Sequence, residues 1–364
     1  MRPSWIEVDL DAVRHNVEAV AHLVEPSRVC AVVKADGYGH GDVPVADAAV
    51  SAGATMLAVA LPEEGVRLRE AGIEAPILLL SEPPLEDLAD IVKWSITPTV
   101  YRHTTLEALA DLGPVGVHVK ADTGMHRVGA PPDVAFELAL RLGGGALDAT
   151  LEGLWTHFAV ADEESPFTNV QIERFDELLE RLERRGVSVP VTHLSNTAGA
   201  LLHESARRDM VRLGLGMYGL YPSDPCREVV DLRPAMRVVT HVSYVRRLGP
   251  GDAPSYGRRR PLTAATTVVT APIGYADGVP RLLSSRGGEV LVGGERRPFA
   301  GTVTMDQIVV DVGDREVDIG EEMVLIGSQG NQTIVADEWA KRTDTISYEI
   351  VTGMGARMPR RYGP

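Results

Sequence analysis

Cysteine is scarce in this chain, with two among 364 residues. Cys30 and Cys226 cannot build a disulfide framework or a four-thiolate zinc site. Cys30 stands inside the apolar run Val29-Cys30-Ala31-Val32-Val33, where a buried, inert thiol is expected. Positive charge is also short: 36 Lys and Arg face 51 Asp and Glu, a formal net charge of −15. That balance excludes a nucleic-acid partner, which requires a basic stripe. It still allows a small anionic ligand held by a few local groups. No uninterrupted apolar run approaches the roughly 18 residues of a membrane span, so no membrane partner is expected. The opening MRPSWIEVDLDAVRH has no apolar h-region, and the expectation is a cytoplasmic protein with no secretory signal. Gly at 36 and Pro at 24 are too few for long disordered tracts.

What is present is alternation. Leu10 to Val24 places Leu10, Val13, Val17, Val20, Ala21 and Val24 at helical spacings of three and four. Short apolar runs follow at Val29–Val33, Met56–Ala60, Ile77–Leu80, Ile96–Val100, Val115–Val119, Leu151–Trp155, Val189–Leu194 and Met210–Leu213. Helix-like segments lie between most of them: Pro62–Ala71, Leu85–Val92, Thr104–Leu112, Asp133–Leu142 and Thr168–Arg185. Eight strands alternating with helices predict a parallel (β/α)8 barrel over residues 10–230. An open doubly wound sheet alternates similarly, but no GxGxxG follows the first strand and no P-loop is present. After about Asp231 the texture becomes β-rich, with Val238–Val245, Ala264–Ala271, Glu289–Val292, Ile308–Val312 and Glu322–Ile326 separated by Gly, Pro and Asp turns. Helical periodicity returns at Ile334–Ala340. Residues 231–364 therefore form a mainly β domain, which the alternating strand Trp5-Ile6-Glu7-Val8-Asp9 is placed to join.

The active site of a (β/α)8 barrel lies at the C-terminal ends of its strands. There the chain carries Lys34, Lys120 and Arg127, His157, Ser195-Asn196-Thr197, and Arg212-Leu213-Gly214. Each is weak evidence alone. A lysine after a strand is most often solvated, a lone histidine structural, and Asn196-Thr197 an ordinary helix cap. Together, cations and donors converging on one barrel mouth suit a ligand with a phosphate and a carboxylate. Lys34 is the candidate nucleophile, since neighbouring cations lower an amine's pKa and let it attack carbonyls. A Schiff base with pyridoxal 5'-phosphate follows, with Thr197 and Gly214-Leu215 offering groups for the phosphate. The competing metal reading of His40, His157 and His193 lacks any HxH or HExxH spacing, so no metal is expected.

The run Ala31-Val32-Val33-Lys34-Ala35-Asp36-Gly37-Tyr38-Gly39-His40-Gly41 resembles the cofactor-lysine signature of alanine racemases. The resemblance continues through Lys120–Gly129, Thr156–Asp162, Arg212–Gly219, Ser255-Tyr256-Gly257, Gly274–Gly278 and Thr304-Met305-Asp306-Gln307, in family order over nearly the whole chain. It implies a pyridoxal-phosphate homodimer with shared active sites, a barrel, and a C-terminal β domain. It further implies interconversion of L- and D-alanine, supplying D-alanine for peptidoglycan. By the same resemblance Lys34 holds the cofactor and exchanges the α-proton of the D-isomer, and Tyr256 that of the L-isomer from the opposite face. Tyr38, Asn196, Thr197, Gly214 and Leu215 match cofactor-binding positions, chiefly around the phosphate. His157 matches a ring-packing position and Arg212 the partner of the ring nitrogen. Arg127, Tyr275 and the backbone of Met305 match substrate-carboxylate positions. Lys120 matches a lysine that is often carbamylated and orients Arg127. Tyr256 and Met305 are implied to act from the partner subunit.

The chemistry agrees with these residue types. Racemisation needs one group on each face of a planar carbon, one to remove and one to return a proton. Arg212, a donor with no acceptor, does not readily protonate a ring nitrogen. Two departures stand out: Thr197 where serine is frequent, which keeps the hydroxyl, and Ala356 where a tyrosine is common. The alternatives are a racemase for serine or another amino acid, a related decarboxylase, and a non-catalytic pyridoxal-phosphate carrier. A decarboxylase commonly sets a carboxylate on the ring nitrogen, unlike Arg212, and a carrier needs no second domain.

Overall fold

The computed structural model describes residues 2–145 and 147–363. It divides into two compact units, one made of Asp11–Gly37 and Asp42–Arg233, the other of the residues up to Leu10, Tyr38–Gly41 and the chain from Pro234 on.

The first unit is an eight-stranded parallel barrel. Its strands read as near-continuous apolar runs because both faces are covered, by helices outside and by packed side chains inside. Met210–Leu213 pairs with Arg28–Val32, which pairs with Met56–Val59, then Ile77–Leu79, then Ile96–Thr97. Thr99–Val100 pairs with Val115–Lys120, then Ala149–Trp155, then Val191–His193. The expected continuous strand Ile96–Val100 is thus broken at Pro98. Proline has no N–H to continue a ladder, while its carbonyl still accepts from His118 N at 3.0 Å. The remaining seam closes through Asp209 N to Thr192 O at 3.2 Å and Arg212 N to Ser195 O at 2.9 Å.

Amphipathic helices cover the barrel. Leu10–Val24 buries Val13, Val17, Val20 and Val24 on one stripe, as its spacing predicts. Its buried Asn16 bonds Met217 O at 3.0 Å and Arg233 O at 2.8 Å, and accepts from Arg233 N at 2.7 Å. Phe167–Glu183 packs Phe175, Leu178 and Leu182 into the core with Leu138 and Ala139 of Pro132–Gly143. The helix Asp42–Ser51 is absent from the periodicity reading because its buried side chains are mostly alanine and valine, with no polar stripe to mark a face. Among the described residues no helix is long and apolar enough to cross a membrane.

The second unit is built on two sheets. One runs Glu295–Pro298, Glu289–Val292, Glu322–Gln329, Met236–His241, Ser4–Asp9, Arg360–Gly363, with Gln332–Ile334 as a hairpin partner of Glu322–Gln329. Ser4–Asp9 lies antiparallel to Met236–His241 and parallel to Arg360–Gly363, so the chain's start does join the C-terminal sheet. The other sheet runs Tyr244–Leu248, Thr266–Ala271, Ile308–Gly313. The single strand expected over Val238–Val245 is two strands in different sheets, parted at Val242-Ser243. The helix expected at Ile334 begins at Ala336, because Ile334 ends a strand.

Ile6 is fully buried in this sheet, opposite Val238 and Arg360. Truncating a buried isoleucine costs about 2–5 kcal/mol. Ile6→Ala is expected to lower the unfolding free energy of the second unit by that amount, read from denaturation followed by tryptophan fluorescence. A change under about 0.5 kcal/mol, the range of surface substitutions, would mean that the N-terminal strand is dispensable.

Candidate active site

Strand register decides which polar side chains meet. Lys120 lies opposite Trp155, Trp155 opposite His193, and Arg212 opposite Cys30. Alternation along each strand turns residues two apart to the same face, so His118 accompanies Lys120 and His157 follows Trp155. The contacts match. Trp155 stacks on His193 at 5.4 Å, with Lys120 Nζ 4.1 Å and Arg212 Cζ 4.6 Å from its ring centroid. The Trp155 indole N–H donates to Thr99 Oγ1 at 3.2 Å, which fixes the ring beside the two basic groups.

Arg212 is 2% exposed, and among the described residues no carboxylate takes its hydrogen bonds. One terminal nitrogen donates to His193 O and His193 Nδ1, both at 2.9 Å. The other donates to Thr156 O and Leu194 O at 2.8 Å and to His157 Nδ1 at 3.2 Å. An arginine is donor only, so both histidines present lone pairs at Nδ1. His193 Nε2 must then carry the proton it donates to His118 Nδ1 at 2.9 Å. Gly153 makes this relay possible: a Cβ there would meet the His118 ring at 2.5 Å. Burial and Arg212 hold His157 and His193 well below the ordinary histidine range, and pull His118 down to about 4. All three rings are neutral at pH 7. Among the described residues no acceptor engages Arg212 Nε, so that N–H is available to a ligand.

Lys120 is 4% exposed, and among the described residues its amine has one hydrogen-bond acceptor, Leu80 O at 3.4 Å. Burial, then Arg212, Arg127 and Lys34, pull it down to about 7, against a weaker upward pull from Asp122. Lys34 is half-buried and also lowered, by burial and then Arg127, with Glu64 acting upward. The first unit therefore brings Lys34, Lys120, Arg127, His157 and Arg212 within electrostatic reach of one another. Asp122 keeps the Arg127 loop in shape by accepting from Gly124 N at 2.9 Å and His126 N at 3.1 Å.

Two backbone features flank this cluster. The buried Thr197 Oγ1 accepts from Gly214 N at 3.1 Å and Gly216 N at 3.4 Å, knitting the start of the short helix Thr197–Leu202 to the turn Leu215–Tyr218. Asn196 caps that helix through Gly199 N at 2.9 Å. After Lys34 the chain enters a left-handed turn: Ala35, Asp36, Gly37 and Tyr38 have φ of 53°, 53°, 58° and 52°. Only Gly37 adopts this without a steric penalty. Gly37 N to Val33 O at 2.9 Å, Ala35 N to Glu64 Oε1 at 2.7 Å and Asp42 N to Asp36 Oδ1 at 3.2 Å hold the turn. Tyr38 is buried, 6.0 Å from the ring of Tyr348, and burial pushes its phenol up to about 12.

In the second unit Tyr256, Tyr275 and Met305 are 71%, 43% and 51% exposed. They rest on one strap. Thr302 Oγ1 donates to Tyr256 O at 2.9 Å, Tyr275 N to Thr304 O at 2.9 Å, and Ala276 N to Met305 O at 3.1 Å. Gly274 allows the close approach, since a Cβ there would lie 2.3 Å from Thr304 O. Asp277, wholly buried and held by Arg2 at 2.6 and 3.0 Å, accepts from Gly274 N at 2.9 Å and fixes the Tyr275 loop. Ala356 is exposed.

The sequence reading passed over Trp155, His118, Glu64 and the function of His193. Register and alternation together point to the first two. Nothing local marks Glu64, whose partner at Ala35 belongs to another βα unit. Among the described residues no group of three or more His, Cys, Asp or Glu side chains is arranged to hold a metal ion. What the mouth does hold is cations, a ring-facing guanidinium, a threonine-braced turn and an amine of lowered basicity. That set can hold a planar aromatic aldehyde bearing an anionic group.

Comparison with known proteins agrees with this chemistry. Residues 8–222 match the family profile described as "Alanine racemase, N-terminal domain", and residues 235–362 the one described as "Alanine racemase, C-terminal domain". The chain is 44% identical to an alanine racemase of Symbiobacterium thermophilum, over 100% of this chain and 98% of the relative. It is similar to a crystal structure of alanine racemase from Bacillus anthracis with bound L-Ala-P: TM-score 0.93, 37% identity, covering 100% of this chain and 96% of that one. A histidine racemase from Leuconostoc mesenteroides is also similar, with TM-score 0.90 and 27% identity, covering 100% of this chain and 98% of that one.

The buried amine of Lys120 makes stability depend on pH. Its value in the fold, about 7, lies below its ordinary 10.5. The protonated form is therefore penalised by folding in full below pH 7, and the penalty fades as pH rises toward 10.5. In carbonate-free buffer Lys120→Met is expected to raise the melting temperature more at about pH 6 than at about pH 9.5. Equal changes at both would show that the amine is not protonation-strained.

Proposed function

The chain belongs to the alanine racemase family, and from that membership we propose that it interconverts L- and D-alanine with pyridoxal 5'-phosphate bound at the barrel mouth. The observation that carries the reading is Arg212: a buried guanidinium with no carboxylate, caged by neutral acceptors, and with Nε free toward a ligand. When bound, the cofactor supplies an aldehyde for the lysine and a conjugated ring that takes up electron density from the substrate's α-carbon.

Lys34 holds the cofactor covalently. Thr197, Gly214, Leu215 and Tyr38 receive its phosphate, with Asn196 shaping the helix start. His157 packs against the ring. Arg212 donates to the ring nitrogen without giving up its proton, since burial brings it down only to about 10. A donor that keeps its proton at that position would restrain the ring's uptake of electron density, which favours simple return of the proton by Lys34 or Tyr256 over side reactions. Arg127, Tyr275 and the backbone of the partner subunit's Met305 hold the substrate carboxylate. Lys34 removes or returns the α-proton on the D-side and Tyr256 of the partner subunit on the L-side. The exposure of Tyr256, Tyr275 and Met305 supports a homodimer in which this surface is covered and the sites are shared. The assignment to the cytoplasm and to D-alanine supply for peptidoglycan belongs to the same reading.

Lys120 is the candidate for carbamylation. An amine near pKa 7 is substantially neutral at physiological pH and so able to react with carbon dioxide. Arg127 is one of the groups that disfavour the protonated amine, and a carbamate would turn that repulsion into an attraction. Intact mass in bicarbonate buffer is expected to show the adduct, and its absence after mild trapping would remove the assignment.

A racemase for a different amino acid is the second reading. It is favoured by the similarity to a histidine racemase and by the small, exposed Ala356. A chiral assay over all amino acids decides: alanine turnover well above serine and histidine is expected, and the reverse order would overturn the alanine assignment. Tyr256→Phe should keep the cofactor and lose about 10²–10⁴-fold of racemisation. It should still exchange the α-proton of D-alanine with deuterated water, without inversion. Racemisation at the wild-type rate, or equal loss of exchange from both enantiomers, would refute the two-base assignment.

A further inference from the structure

Glu64 lies in the first turn of the helix Pro62–Glu70 and is 7% exposed. Its carboxylate accepts three backbone N–H groups. Oε2 takes Ala60 N at 2.8 Å and Leu61 N at 3.1 Å, the two residues between the strand Met56–Val59 and its own helix. A carboxylate reaching back from a first turn is a common way to fix a helix start. Oε1 does something different. It takes Ala35 N at 2.7 Å, across to the neighbouring βα unit, on the residue directly after Lys34 and the first of the left-handed turn. Three backbone donors converge on one carboxyl group, and the amide of a glutamine in its place would set a donor against a donor.

We propose that Glu64 is the positioning residue of Lys34, fixing the turn that aims its side chain and setting a negative charge beside its amine. The inference rests on the reading of Lys34 as the cofactor lysine. The groups acting on that amine from the surrounding elements are the cationic Arg127, Lys120 with its amine pulled down to about 7, the neutral His157, and Glu64. Asp36, next but one in the turn, is exposed and accepts from Asp42 N. Glu64 is the group that opposes Arg127. Without its charge the amine becomes neutral at lower pH, and without its hydrogen bond the turn loses its tie to the helix Pro62–Glu70.

The test uses the full-length apoprotein with pyridoxal phosphate as the probe. The rate of covalent attachment is followed by absorbance against pH, and borohydride fixation with peptide mapping locates the lysine. In Glu64→Gln the midpoint of the pH–rate curve is expected to fall by at least about half a unit. Alanine turnover in the loaded enzyme should fall by about 10²-fold, the scale set by small misplacements of a reacting group, with KM near that of the unsubstituted chain. Glu64→Asp keeps the charge and shortens the reach, so its midpoint should stay in place while turnover drops. Glu63→Gln, on the exposed neighbour, should match the unsubstituted chain in both. A lowered melting temperature with an unmoved midpoint in Glu64→Gln would overturn the proposal, leaving Glu64 a stabilising cap alone. So would turnover within about twofold of normal. Label on a different lysine of the unsubstituted chain would overturn the reading of Lys34 and this inference with it.

Discussion

The barrel mouth is organised by a guanidinium buried without a carboxylate. Desolvating a charge costs several kcal/mol even after relaxation, and Arg212 offsets this with charge-assisted hydrogen bonds, each worth roughly 1.5–3 kcal/mol. Every acceptor is neutral: three carbonyls, two imidazoles and the face of Trp155. Because arginine can only donate, it dictates the proton positions around it. His193 and His157 must turn lone pairs inward, and the proton on His193 passes outward to His118. Because no anion cancels its field, it also depresses Lys120. A carboxylate in place of His193 would quench that field and return Lys120 toward an ordinary, fully charged lysine.

The left-handed turn after Lys34 is the second constraint, and it is a costly one. A non-glycine residue in this region loses about 1–2 kcal/mol, and Ala35, Asp36 and Tyr38 all adopt it. No single hydrogen bond, at a net 0.5–1.5 kcal/mol, could hold three such residues. The turn persists because Glu64, the Asp42 N–H and the Val33 carbonyl hold it at separate points. Gly37 has to be glycine as well, since a Cβ there would crowd Asp42 N at 3.2 Å. A strained backbone fixed from several sides gives the lysine one direction of exit, as a group that must face one side of a planar ligand requires.

Much of this was legible in the sequence, for physical reasons that can be named. Buried parallel strands are apolar on both faces, so seven of the eight stand out as short runs, and the eighth fails only at Pro98. Arg360–Gly363 and Glu295–Pro298 escaped notice because edge strands carry charge and proline where interior strands carry valine. The cations of the site were visible because strand ends of a barrel face one mouth. The tryptophan and histidines between them were less so, since their meeting depends on lateral register, which no single segment encodes. Glu64 was invisible because a charged residue in a helix's first turn is ordinary. Only the fold shows that one of its oxygens crosses to Ala35.

The charge distribution of the site carries a further consequence. Lys34, Lys120, Arg127 and Arg212 gather at one mouth, while the carboxylates nearest them, Glu64 and Asp122, already accept backbone N–H groups. Two carboxylates offset these four basic groups only in part. The chain's overall −15 does not relieve it, because charges beyond about 8 Å are largely screened at physiological salt. An anion that binds here meets an attraction the fold has already organised. Its binding free energy is added to that of the native state, about 2.7 kcal/mol at a hundredfold excess over Kd. Under the proposed reading the phosphate and the substrate carboxylate are these anions, and a carbamate on Lys120 is a third built into the chain. Under that reading the same field selects a dianionic cofactor over a neutral aldehyde of similar shape. Specificity at this step then belongs to the cluster as a whole rather than to any one phosphate contact.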